Sequence, residues 1–253
     1  MSKSKVIIKN EIQIAGIKEA SRIAALTLDY IKQYVKVWIT TEELDHICNA
    51  FIMQNGWKSA CIGYHQYPKY TCISINDTIC HGIPSKSEVL KDWDIVNIDV
   101  TVFKAWYFWD TSRMYTVWNV SKEALKLIEV TKKALEIWIW QVFPGNYTSN
   151  IWFEISKYVE KLWYWVVREY TGHWIWLQFH EEPYIYHKAQ KNNWTIMAPG
   201  MIFTIEPMIN IWDHRTKLLK DWWTVKTTDW NLSAQFEHTI LVTKDWYEIL
   251  TLV

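Results

Sequence analysis

The sequence predicts an α/β (α+β) fold, in which a helix pair and a run of strands are each used twice. Two observations carry this: the apolar period switches from helical to alternating and back, and helix-start signals precede both helical stretches. From Asn10 to about Val35 apolar residues recur at helical spacing, which predicts the first helix. Thr40-Thr-Glu-Glu43 is a capping-box signal ahead of Leu44, Ile47, Phe51 and Ile52, and Gly56 closes that second helix. Strands follow at about 70 to 80 and 94 to 103, helices start from Ser121 and Thr148, and the remaining chain is read as strands. Nothing resembles a linker, a low-complexity tract or a convincing internal repeat, so residues 1–253 are expected to form a single domain.

Composition narrows the function classes. The chain has 27 basic and 27 acidic side chains and a formal net charge of zero, so neither nucleic acid nor an anionic membrane is an expected partner. Val6-Ile-Ile8, after a short basic start, is too short for a signal-peptide core, and no apolar run is long enough to span a bilayer. A cytoplasmic location is expected. Cys48, Cys61, Cys72 and Cys80 lack CxxC spacing and are expected to be reduced thiols, with Cys48 on the apolar side of a helix.

Strand parity points to a site. In Asp94–Val102 the residues Val96, Ile98, Val100 and Val102 form one apolar row, which leaves Asn97, Asp99 and Thr101 on the opposite face. Thr204 and Glu206 share a face in Met201–Pro207, as do Gln235, Glu237 and Thr239 in Gln235–Val242. Three segments thus aim Asp99, Glu206 and Glu237 inward, where carboxylates need cations, protons or one another. Asp110 and His173 lie in segments that suit the same space. One imidazole among four carboxylates suits divalent Mn, Fe, Co or Zn better than a thiolate-bound structural zinc.

The local wording is more specific than the spacing. Asn97-Ile-Asp99, Asp110-Thr-Ser-Arg-Met114, Gly172-His173, Phe179-His-Glu-Glu-Pro183, Phe203-Thr-Ile-Glu-Pro-Met208 and Ala234-Gln-Phe-Glu-His-Thr239 occur in that order. With Cys72-Ile-Ser-Ile-Asn76 and Cys80-His-Gly-Ile-Pro84, the chain closely resembles type I methionine aminopeptidases from about Ile12 to Leu252. The resemblance implies the pita-bread fold, a curved antiparallel sheet backed by helices in pseudo-twofold halves. It implies two divalent ions (Co, Mn, Fe or Zn): Asp99 on one, Asp110 and Glu237 bridging, His173 and Glu206 completing the other. Two such ions share a water whose pKa falls towards about 7, with Glu206 placed to shuttle its proton. His81 is then expected at the scissile amide nitrogen and His180 at the carbonyl oxygen as it becomes an oxyanion. Cys61, Tyr64, Tyr67, Cys72, Phe179 and Trp223 are expected to form a slot for a methionine side chain.

The implied reaction is removal of the initiator methionine from nascent polypeptides whose second residue is small, by a monomer with the ribosome as transient partner. Prolidase and aminopeptidase P share the fold and metal set and are the nearest enzyme alternative; a non-catalytic pita-bread module is the other. His65, His187 and His214 are read as ordinary polar residues. Gln66 and Phe108 depart from the family's common pattern.

One departure is larger. The chain has 19 Trp and 7 Gly, where average usage would give roughly 18 glycines. Trp93, Trp109, Trp118, Trp174, Trp176, Trp212, Trp222 and Trp246 stand where turn chemistry or the family's wording suits glycine, and Trp38 and Trp230 look similar. Trp223 stands where the family itself has Trp. The preferred reading is that these codons are UGA, specifying glycine in the source lineage and tryptophan under a different code. Real tryptophans there would strain the turns and crowd the ligands.

Overall fold

The computed structural model describes residues 7–104, 107–175, 178–186 and 191–252. The first half opens with helices α1 (Glu11–Ile31) and α2 (Thr41–Gln54), followed by strands β1 (Lys58–Ser59), β2 (Cys72–Ile75), β3 (Thr78–Cys80), β4 (Ile95–Lys104) and β5 (Tyr107–Thr116). The second half repeats the order. Helices α3 (Lys122–Ile139) and α4 (Thr148–Lys161) precede short strands β6 (Trp165–Val166), β7 (Thr171–Trp174), β8 (Glu181–Tyr186), β9 (Ile202–Ile205) and β10 (Met208–Asn210). The last are β11 (Thr216–Leu218), β12 (Val225–Thr227), β13 (Ser233–Gln235), β14 (His238–Val242) and β15 (Tyr247–Ile249).

Both opening helices start as their sequences require. Asn10 accepts from the Gln13 amide while the Gln13 side chain accepts from the Asn10 amide, and Thr40 and Glu43 make the same reciprocal pair. The 10–35 expectation was slightly long: α1 ends at Ile31 and continues as one 3₁₀ turn, Lys32–Tyr34. Cys48 lies on the buried face of α2, and all four cysteines are free thiols.

Each half has its own core. Ile17, Leu28, Leu44 and Ile52 from α1 and α2 pack on Val96, Ile98, Val100 and Val102, the apolar row of β4. Leu127, Leu135 and Trp138 from α3 and Ile155 from α4 pack on Phe203, Ile205 and Ile240. The sheets are antiparallel throughout: β4 lies between β1 and β2 and also pairs with β5, while β15, β14, β9, β7 and β8 form a five-stranded sheet. This is the pita-bread arrangement, two helix-backed halves that meet along β5, β13 and β14. No helix among the described residues is long and apolar enough to cross a membrane.

Two strand expectations need correction. The 70–80 stretch is two strands, because Asn76 turns the chain at φ 52° between β2 and β3. Strand β5 was not anticipated: Trp109-Asp-Thr-Ser-Arg has no apolar alternation, and only its ten-residue register against β4 makes it a strand.

The tryptophans separate into two groups. Trp38, Trp93, Trp118, Trp163, Trp194, Trp222 and Trp230 adopt left-handed backbone, with φ between 52° and 79°. For an L-residue this conformation costs roughly 1–2 kcal/mol. Trp109 and Trp174 lie in β5 and β7, outside the left-handed region and almost fully buried. Trp212 and Trp246 are exposed and also outside it, while Trp176 and His187 fall outside the described residues.

Candidate metal centre

The β4–β5 hairpin sets the first two acids. Thr101 pairs with Asp110 and Asp99 with Ser112, so the two carboxylates sit diagonally across one face of the ladder. The hydroxyl of Thr101 donates to Asp110 Oδ1 at 3.0 Å. His173 enters from β7, its backbone amide donating to Thr204 Oγ1 at 3.0 Å and its Nδ1 3.1 Å from the Trp174 carbonyl. With Nδ1 so engaged, Nε2 is directed at the acids, 3.8 Å from Asp110 Oδ2 and 3.7 Å from Glu206 Oε1. Glu206 stands just past β9, where Thr204 donates to its Oε1 at 2.8 Å. Glu237 bridges β13 and β14. Its amide donates to the Ser112 carbonyl at 3.2 Å, and Thr111 Oγ1 donates to its carbonyl at 2.7 Å.

All five expected ligands line one pocket, which holds about 80 Å³ of space open to water. Asp110, His173 and Glu237 each offer an atom within 4.8 Å of the others. Burial, and then the charge of Asp110, pushes the carboxyls of Asp99, Glu206 and Glu237 well above the usual range. Burial lifts Asp110 to about 6. The donor set fits hard divalent ions on a further observation: Asp99 Oδ1 and Glu237 Oε1 are buried with no hydrogen-bond partner.

Every other expected site residue lines the same cavity. Cys61, Tyr67, Cys72 and Phe179 form a small apolar cluster, against which Tyr64 and Trp223 pack. The Tyr67 and Trp223 rings meet edge to face at 5.0 Å, and those of Tyr64 and Phe179 are 4.6 Å apart. His81 follows β3 with a left-handed backbone, φ 56°, and its ring lies 6.0 Å from Trp223. The His180 ring is 4.2 Å from that of His173, and its Nδ1 lies 2.8 Å from the Tyr64 hydroxyl. Burial lowers His81 and His173 to about 4, and burial followed by His173 and His81 drives His180 lower still. All three imidazoles are therefore neutral at pH 7.

Three residues to which the sequence assigns no role, Thr101, Thr204 and Gln235, also line or support the site. Two hold carboxylates by hydroxyl donation, and Gln235 Nε2 reaches Glu206 Oε2 at 3.4 Å. Their signal was the parity of the acids themselves, each hydroxyl standing two residues from a ligand or directly across the ladder from one. Phe108 lies beside the slot, its ring stacked 6.1 Å from Phe179.

Comparison with known proteins agrees with this geometry. Residues 15–244 match the model of metallopeptidase family M24. A methionine aminopeptidase of Salmonella typhimurium is 48% identical over 98% of this chain and 94% of its own length. The chain belongs to metallopeptidase family M24, among its methionine aminopeptidases. The crystal structure of the Rickettsia prowazekii methionine aminopeptidase superposes with a TM-score of 0.96 at 44% identity, covering 98% of this chain and 100% of that one. A Pyrococcus furiosus prolidase, at 19% identity and TM-score 0.78 over 98% of this chain and 66% of that one, shares the fold. As an M24 metallopeptidase, the chain is a divalent-metal hydrolase of peptides.

Proposed function

We propose that the chain, as a single catalytic domain over residues 1–253, removes N-terminal methionine from nascent polypeptides with a small second residue. The observation that carries this is the junction, within one cavity, of the five acid and imidazole donors with the slot formed around Cys61, Tyr67, Cys72 and Trp223. Two divalent ions (Co, Mn, Fe or Zn) would be held by Asp99, Asp110, His173, Glu206 and Glu237. When bound, they supply Lewis acidity and draw down the pKa of a water.

The remaining work falls to side chains. Glu206, whose carboxyl is raised by burial and then by the charge of Asp110, is placed to accept a proton and return it. Neutral His81 donates to the scissile amide nitrogen and neutral His180 to the carbonyl oxygen as it gains charge, neither adding a cation beside the metals. The slot offers soft thiol and aromatic surfaces to a flexible thioether and excludes water from it. On this reading the chain works in the cytoplasm, as a monomer, and meets the ribosome transiently.

The test is release of methionine from a Met-Ala-Ser peptide with Mn added, beside an Ala-Pro-Ser peptide and a chelator control. Methionine release abolished by chelator is expected. Cleavage of the Ala-Pro peptide alone would instead support a prolidase or aminopeptidase P specificity. A folded chain inactive on both would support a binding module.

A further inference from the structure

The seven left-handed tryptophans are unlike the other left-handed residues. Among the described residues, the remaining positive-φ positions are Gly56, Gly63, Gly145, Gly200, Asn76, Asn192, His65, Gln66 and His81. Glycine adopts this conformation freely and asparagine tolerates it through local hydrogen bonds, whereas a bulky residue there is an outlier. Tryptophan's one polar group, the indole N–H, sits at the far side of a bulky ring and cannot play the part of asparagine's short amide.

Burial does not offset the strain, since all seven indoles are exposed, by 38% to 84%. Local chemistry points the same way. Trp93, Trp222 and Trp230 each follow an Asp and Trp194 follows an Asn, the dipeptide form of a glycine turn. Trp163 sits just beyond the α4 C-cap, Leu162, and its amide donates to the Glu160 carbonyl at 3.1 Å, the place where a helix most often ends in glycine. Backbone geometry adds Trp163 and Trp194 to the positions that the sequence singles out.

We propose that the codons for Trp38, Trp93, Trp118, Trp163, Trp194, Trp222 and Trp230 are read as glycine in the organism that carries this gene. The one codon that connects the two residues is UGA, which specifies tryptophan in some codes and requires here a UGA-reading tRNA charged with glycine. A single reassignment accounts at once for the excess of tryptophan, the shortage of glycine and the left-handed positions. It extends to the metal centre: Trp109 and Trp174 flank Asp110 and His173, and the buried Trp174 Nε1 has no hydrogen-bond partner. Glycine at both would remove two indoles from beside the ligands.

The experiment reads the seven codons, and sequences by mass spectrometry the peptides of the protein isolated from its own cells. UGA codons with glycine in the peptides are expected; UGG codons, or tryptophan in those peptides, overturn the proposal. Recombinant chains supply an independent readout. Replacing all seven tryptophans by glycine should raise Tm by roughly 10–20 °C, and replacing them by alanine should raise it much less, because alanine keeps the Cβ clash. An alanine chain that melts with or above the glycine chain would show that the backbone does not call for glycine.

Discussion

The Tyr64 hydroxyl stands 2.8 Å from His180 Nδ1, and burial keeps both groups in their neutral forms. A neutral imidazole carries one hydrogen. If the phenol donates to Nδ1, that hydrogen resides on Nε2, where it can be given to a substrate carbonyl. Tyr64→Phe keeps the ring in the slot and removes only this hydrogen bond. We expect kcat on a Met-Ala-Ser peptide to fall on the order of 10-fold with KM little changed, as for other partners that orient a working histidine. Steady-state kinetics check this, and an unchanged kcat would show that the tautomer is set elsewhere.

Metal uptake should be coupled to protons. The folded-state pKa values of Asp99, Asp110, Glu206 and Glu237 are raised, Asp110 to about 6. Raised carboxyls stabilise the metal-free fold in acid, and that contribution is lost as pH rises through the folded pKa. Metal needs the ionised forms, so the order reverses on binding. His173, lowered to about 4, is already neutral and does not compete across this range. The difference in Tm between Mn-loaded and chelator-treated protein is therefore expected to widen from pH 6 to pH 8. A gap that is constant with pH would mean that the acids are ionised before metal arrives.

Gly172 is tested by steric argument. A Cβ there would lie 2.5 Å from the Thr204 carbonyl oxygen, so β7 and β9 would have to separate. That seam carries the hydrogen bond from the His173 amide to Thr204 Oγ1 and, through the same hydroxyl, the bond to Glu206. Gly172→Ala should cost roughly 1–3 kcal/mol in stability. It should also raise the Mn concentration needed for half-maximal activity, and normal Mn dependence would show that the seam can yield without moving the ligands.

Much of this site was legible because a metal centre imposes residue types, and alternation within a strand then says which face they occupy. Asp99 stood out against the unbroken row of Val96, Ile98, Val100 and Val102, and that row is fully buried. Asp110 was found by its neighbours' wording, while its strand was missed, because β5 takes its conformation from pairing with β4 and not from its own pattern. Glu206 and Glu237 sit at junctions, between β9 and β10 and between β13 and β14, where a period-two reading runs on without registering the break. Backbone handedness was only half visible: an Asp before Trp93 and Trp222 marks a turn, but Trp163 is marked only by where α4 ends.

Lys9 gives the last prediction. Its side chain is fully buried with Nζ 3.9 Å from Glu181 Oε2, and its amide donates to the Gly200 carbonyl at 2.9 Å, fixing the chain ahead of α1. Burial lowers its pKa to about 8, against the opposing pull of Glu181. Between that value and the unfolded value near 10.5, the unfolded chain holds the proton and the folded chain has released it. The contribution of this lysine to stability therefore rises with pH across the window, by on the order of 2 kcal/mol. Lys9→Met keeps the apolar stem and removes the titration. Urea unfolding at pH 7.5 and pH 10 should show the wild-type chain gaining stability relative to the variant as pH rises. A difference that does not change with pH would mean that Lys9 keeps its proton in the folded chain, held by Glu181 despite its burial.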